Sequence, residues 1–258
     1  MQLGIEGKIA VVAGGARGSG LVIAEQLAGE GVKVVLTGRY PEIVRAAEKK
    51  IRAAGGEATG VVVDVTAKDG PATIKAAADK AYGPANIIVL NMATIASTAR
   101  NFMDISEEEY YLCFETYYMT VVRMCRAFLP DMAKAKWGRV ILLGSALMKN
   151  PSQVDPLIAQ TVRVGGASLL KNLTFEYSPD NISFNTLAIG ALKTDLAKGY
   201  LDNAPPGTYE KYANKVPLKR WAEPSELAAL VTFLCGAESS YVNGEVIRID
   251  GGQTESMF

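Results

Sequence analysis

Residues 8–30 read KIAVVAGGARGSGLVIAEQLAGE, and their order decides the fold. Ile9–Ala13 is an apolar run of strand length, and glycines follow at 14, 15, 18 and 20. Apolar residues then return at Ile23, Ala24, Leu27 and Ala28, the spacing of one helix face. The segment reads as strand, glycine-rich turn, helix. Glycine serves two ends in such a turn: the chain reverses tightly, and bare backbone at a helix N-terminus lets a pyrophosphate approach. Gly14, Arg17, Gly18 and Gly20 are therefore phosphate-contacting candidates. A structural βα turn without a ligand is the plain alternative.

Outward from this unit the same alternation continues. Val32–Thr37, Ala58–Val63, Ile87–Leu90, Arg139–Leu143, Ile182–Ala188 and Gly244–Asp250 read as further strands. Helices are expected over Pro41–Ala54, Ala67–Tyr82, Ser106 to about Lys136, Asp155 to about Tyr177, and from Pro224. Ser106 with Glu109 three residues on has the form of a capping box, and Asp155-Pro156 that of a helix start. The polar stretch 193–215, with Pro205-Pro206-Gly207, reads as a long loop after a strand's C-terminal end, where ligands bind in such sheets. The expected architecture is α/β: one doubly wound domain over 1–258, with seven parallel strands and helices on both faces.

Composition narrows the function. Lysine plus arginine equal aspartate plus glutamate at 27 each, which argues against a nucleic-acid or anionic-membrane surface. The chain has no histidine, so the commonest general base and transition-metal ligand are missing, and no Cys/His cluster has metal spacing. Cys113, Cys125 and Cys235 lie in apolar helical context and read as buried free thiols of a reducing compartment. With no leader or membrane-spanning run, a soluble cytoplasmic protein is expected. After the second strand, where an acid would accept an NAD ribose hydroxyl, stands Arg39; it suits the 2′-phosphate of NADP, or is a solvent-exposed arginine.

At this point the chain resembles the short-chain dehydrogenase/reductase family, with its Rossmann-like fold, over nearly its whole length. The family's T-G-x-x-x-G-x-G loop matches Ala13–Gly20, with alanine for threonine. Its adenine-contacting Asp-Val matches Asp64-Val65, and its N-N-A-G motif matches Leu90-Asn91-Met92-Ala93 weakly. Asn185 to Thr194 follows the family's segment after the sixth strand, with Ile189 for proline, and PLKRWAEPSELAALVTFL with Asp250-Gly251-Gly252 follows its C-terminal pattern. The resemblance implies that Gly14, Arg17, Gly18, Gly20, Arg39, Asp64, Val65 and Asn91 would contact a nicotinamide dinucleotide.

The family's catalytic set is asparagine, serine, tyrosine and lysine, the last two on one helix face four residues apart. Here Tyr117 takes the asparagine position and Ser145 the serine position. Thirteen residues on, the tyrosine and lysine positions fall on Ile158 and Val162; a one-residue slip puts them on Ala159 and Arg163. Neither register has the tyrosine or the lysine. An apolar wall neither donates a proton to a developing alkoxide nor stabilises its charge. Gly165-Gly166 inside this helix is tolerable if another helix packs closely.

The resemblance with this gap implies a catalytically silent subunit, assembled as a homo- or hetero-oligomer with an active family paralogue such as a hydroxyacyl-CoA dehydrogenase. NADP(H) binding would then be weak or absent. Two alternatives stay open. One is an active NADP(H)-dependent oxidoreductase with relocated acid/base groups, drawn from Tyr117, Tyr118, Asp155 and Arg163. The other is a non-redox lyase, isomerase or cofactor sensor on the same scaffold.

Overall fold

The structure is a computed structural model that describes residues 2–92, 99, 101–151 and 156–257. Among these residues the strands are β1 (Ile9–Ala13), β2 (Lys33–Gly38), β3 (Ala58–Val62), β4 (Ile87–Leu90), β5 (Gly138–Leu143), β6 (Ile182–Ile189) and β7 (Val246–Ile249). They form one seven-stranded sheet in the order β3-β2-β1-β4-β5-β6-β7, and every pairing is parallel. The helices are α1 (Gly18–Gly29), α2 (Pro41–Ala53), α3 (Gly70–Ala81), α4 (Glu107–Phe114), α5 (Thr120–Ala135), α6 (Leu157–Tyr177), α7 (Asp195–Asp202), α8 (Thr208–Ala213) and α9 (Pro224–Cys235). This is the doubly wound, Rossmann-like architecture expected from the alternation of strand and helix.

The core is split by the sheet. Successive strand side chains point to opposite faces, so Ile9, Val11 and Ala13 of β1 join α3, α5 and α6, while Ala10 and Val12 join α1, α2 and α9. Strands covered on both faces have no reason to alternate with polar residues, which is why they read as continuous apolar runs. All three cysteines are buried free thiols. Burial pushes the Cys125 and Cys235 thiols up to about 12, so neither offers a thiolate near neutral pH.

Three expectations change, and a fourth falls outside the described residues. The stretch 193–215 is not a loop: Thr194 caps α7 by accepting the Ala197 N–H at 3.2 Å, and Gly207 enters α8 with φ +81°. Tyr209 of α8 rests on Trp221, ring centroids 5.4 Å apart. Proline and glycine punctuate this segment without preventing two short helices, because tertiary contacts hold them. α3 starts at Gly70 rather than Ala67, because Asp64 Oδ1 accepts both the Thr66 N–H and its hydroxyl and turns the chain before the helix. The start expected at Ser106 is present, with Glu109 N–H donating to Ser106 Oγ at 3.2 Å and Ser106 N–H to Glu109 Oε2 at 2.9 Å. The helix it opens, however, is interrupted by a wide π-helical turn at Glu115–Met119. The start expected at Asp155 lies outside the described residues, and α6 is described from Leu157.

The glycine pair of α6 faces that π turn. A Cβ at Gly165 would meet the Tyr118 ring at 3.0 Å, and one at Gly166 the Tyr117 carbonyl oxygen at 3.2 Å. The close helix approach that the pair permits is made within this chain.

Candidate active site

Strand order reverses between β1 and β4, and in open parallel sheets a crevice opens at that point beyond the strands' C-terminal ends. Gly14 follows β1 there, and Asn91 follows β4. The Asn91 side-chain amide donates to the Gly14 carbonyl at 3.3 Å, and the Gly14 N–H donates to Thr37 Oγ1 at 3.0 Å. The first residue of the glycine loop is thus held through both its N–H and its carbonyl. Gly14 has φ +67°, and a Cβ on it would lie 2.5 Å from the Asn91 carbonyl oxygen. A Cβ on Gly20 would lie 2.2 Å from the Gly14 oxygen. Both positions admit glycine alone.

The loop leads into α1, whose N-cap residue, Arg17, is extended and makes no side-chain cap. The first N–H groups of the helix therefore face outward without a side-chain acceptor, as an anion site requires. Arg17 and Arg39 flank the exposed Tyr40, their guanidinium carbons 6.0 and 5.9 Å from its ring centre. No acid ends β2. Gly18 has φ +54° and open space around it. Asp64 lies in the turn after β3, where Thr66 occupies one carboxylate oxygen, and Val65 packs against the core. The donor set fits the adenosine and pyrophosphate part of a nicotinamide dinucleotide. Thr37 had a sequence signal that the motif comparison passes over: a hydroxyl in an otherwise apolar strand.

The positions that the resemblance assigns to catalysis lie beyond β5 and along α6 and the π turn. Ser145 is half-buried after β5; its Oγ accepts the Leu147 N–H at 3.3 Å, and its own N–H donates to Met148 Sδ at 3.4 Å. Ile158 is 0% exposed in the core, and Val162, one turn on, packs against the same cluster. The α6 face they share is apolar and turned inward. Arg163, the next residue, reaches the π turn: its Nη2 donates to the Tyr117 hydroxyl at 3.0 Å, with the guanidinium carbon 4.3 Å from that ring's centre. Tyr117 is 3% exposed. π turns recur at functional sites, and this one rotates Tyr117 onto α6. Tyr118 stacks instead on Phe114, centroids 4.9 Å apart. The structure therefore brings Tyr117 and Arg163 together. Asp155 and the residues at 93–98 lie outside the described part, as does the Ala159 side chain. No helix among the described residues is long and apolar enough to cross a membrane, and no described cluster of acids and cysteines has metal-binding form.

Comparison with known proteins agrees with this framework. A family profile described as "Enoyl-(Acyl carrier protein) reductase" matches residues 14–254. Dehydrogenase/reductase SDR family member 4 of Oryctolagus cuniculus is 32% identical, over 95% of this chain and 93% of its own. The 3-oxoacyl-(acyl-carrier-protein) reductase of Vibrio cholerae is 31% identical, over 97% and 98%. L-sorbose reductase from Gluconobacter frateurii, solved with NADPH and L-sorbose, superposes with a TM-score of 0.93 at 29% identity, covering 100% of both chains. With its parallel sheet, its glycine cradle and these matches along nearly its full length, the chain belongs to the short-chain dehydrogenase/reductase family.

Proposed function

We propose that this protein is an NADP(H)-dependent oxidoreductase whose proton donor has moved from α6 to the π turn. The observation that carries the reading is the hydrogen bond from Arg163 to the Tyr117 hydroxyl at 3.0 Å. A general acid must be held in place by a hydrogen bond, and the guanidinium against the phenol oxygen does that. In this reading Arg163 occupies the family's lysine position, which selects the register with Ala159 and leaves Ile158 and Val162 as core residues. Ser145 orients the substrate oxygen. Tyr117 Oη gives that oxygen a proton on reduction and takes one back on oxidation. Gly14, Gly18, Gly20, Asp64, Val65 and Asn91 hold the dinucleotide, which supplies the hydride, and Arg17 and Arg39 favour the 2′-phosphate of NADP(H). The NADPH of the sorbose reductase complex supports this cofactor.

Calorimetric titration with NADP and NAD, followed by turnover assays of Tyr117→Phe, tests the reading. Submicromolar NADP affinity is expected, and Y117F should lose about 10²–10⁴-fold in kcat. An unchanged rate in Y117F would remove the tyrosine from the mechanism.

The burial of Tyr117 favours a second reading, in which the chain is a silent subunit assembled with an active paralogue. The dehydrogenase for 2-(hydroxy(phenyl)methyl)succinyl-CoA contains a subunit of this kind. The exposed Tyr111, Leu112 and Phe114 of α4, with Val164 and Phe175 of α6, would then meet the partner, and substrate would be a CoA thioester bound there. Co-expression with a neighbouring paralogue separates the two readings. A hetero-oligomer without NADP affinity in this chain supports the second, and an active homo-oligomer excludes it.

A further inference from the structure

Arg163 carries a charge that no acidic group among the described residues answers. Among the described residues its guanidinium meets Tyr117, through the hydroxyl and through the ring face. Its Nε is sealed from solvent and has no acceptor. Two other guanidiniums are better met: Arg123, though its Nη1 too is buried without an acceptor, pairs with Glu115 at 2.7 Å, and Arg139 donates to the carbonyls of Gly138 and Asn181 at 2.8 and 3.0 Å. Lys149, half-buried on the turn that follows Ser145, also lacks an acidic partner among the described residues. Among the described residues, then, neither of these two cations is paired with an acid.

We propose that Arg163 receives a carboxylate of the substrate, so that the protein acts on oxo acids and their hydroxy acids rather than on neutral carbonyl compounds. The inference rests on the reading of Tyr117 as proton donor. A guanidinium has five donors in a planar fork matched to two carboxylate oxygens, and one donor on the phenol leaves the others to be satisfied. Stacking on the Tyr117 ring restricts the fork's orientation before substrate arrives. Because one side chain touches both the proton donor and the carboxylate, the reacting oxygen and the carboxylate must be close. That selects 2-oxo and 3-oxo acids over acids with a longer spacer. The carboxylate itself is unchanged by the reaction.

The experiment pairs each acid with its methyl ester, for example 3-oxobutanoate with methyl 3-oxobutanoate. Affinity is measured by calorimetry on the full chain without cofactor, and kcat/KM by NADPH-linked turnover. The acid should be preferred about tenfold or more in both measurements, as a charge-assisted bidentate contact implies. In Arg163→Gln the acid-to-ester ratio should fall towards one, whatever happens to the shared rate. Arg163→Lys should keep part of the preference, and it carries the comparison if the glutamine variant fails to fold. A ratio near one in the parent, or a ratio unchanged in R163Q, overturns the proposal. So does an R163Q variant that loses NADP affinity while keeping its acid preference, because the arginine then serves a cofactor phosphate. An acid preference in binding without turnover of either compound leaves the carboxylate site standing and removes the redox reading.

Discussion

Tyr117 and Gly20 illustrate two kinds of residue-scale constraint. Gly20 is required by space, since any side chain collides with the Gly14 carbonyl and the Asn91 amide. Gly20→Ala should therefore cost about 1–3 kcal/mol of stability as well as cofactor affinity. A melt within about 1 °C of the parent would contradict that estimate. Such a constraint is legible in the spacing of glycines alone, because steric need maps directly onto residue type. Tyr117 is different. Its identity says only that a phenol is available, and four tyrosines lie between residues 110 and 118. Which of them meets a cation depends on one extra residue in a helical turn, and that is not encoded in any single residue type.

At the scale of elements, the segment carrying α7 and α8 is clamped at its stem. Leu192 bridges to Ala222, Lys193 pairs with Glu223, and Arg220 grips Glu226 through two bonds of 2.7 Å. The Arg220 hydrogen bond, helped by the Glu223 N–H, lowers the Glu226 carboxyl from near 4.5 to about 2. A carboxyl whose value is lower in the folded state stabilises that state above its unfolded value and loses the contribution as pH falls through the folded one. Glu226→Gln should therefore melt below the parent at pH 6, and the gap should close between pH 4.5 and about 2. The pair is exposed, so high salt should narrow the gap too. A gap that persists at pH 2 would show that the ion pair is not its source. From sequence this stretch read as a loop because its helices are short and bounded by proline and glycine. Capping by Thr194 and packing on Trp221 outweigh that local preference. The capping box at Ser106 was legible because both of its partners lie within three residues of each other.

Across the whole molecule, Arg139 ties three parts of the fold together at the end of the sheet opposite the cofactor crevice. It is 1% exposed and donates to the carbonyls of Gly138, Asn181 and Gly236, at 2.8, 3.0 and 3.4 Å. Trp137 lies between it and Lys8, each 4.4 Å from the indole ring. Burial draws the guanidinium below its usual value, with neighbouring Cys235 acting in the opposite sense. Arg139→Leu should destabilise the protein by about 1–3 kcal/mol, because it removes the guanidinium's hydrogen bonds and its contact with Trp137, while the Asn181 and Gly236 carbonyls keep the Gly138 N–H and Ser239 Oγ as donors. Arg139→Lys should recover part of that loss. Equilibrium denaturation measures both, and an Arg139→Leu curve matching the parent would mean that the guanidinium adds nothing to the donors those carbonyls already have.

By itself the sequence determined the alternation of strands and helices, the parallel sheet, the glycine cradle at the end of β1 and the absence of any tyrosine between Tyr118 and Tyr177. These depend on local pattern: the periodicity of apolar residues, the need for residues without a Cβ, and the presence or absence of a residue type. Only the tertiary structure decided that Ile158 and Val162 face the core, that a π turn brings Tyr117 to Arg163, and that residues 195–213 carry two helices. Each of these is settled by contacts between segments far apart in the chain. A small rotation of one helix exchanges a buried side chain for one at the site, and local propensity is nearly blind to that rotation.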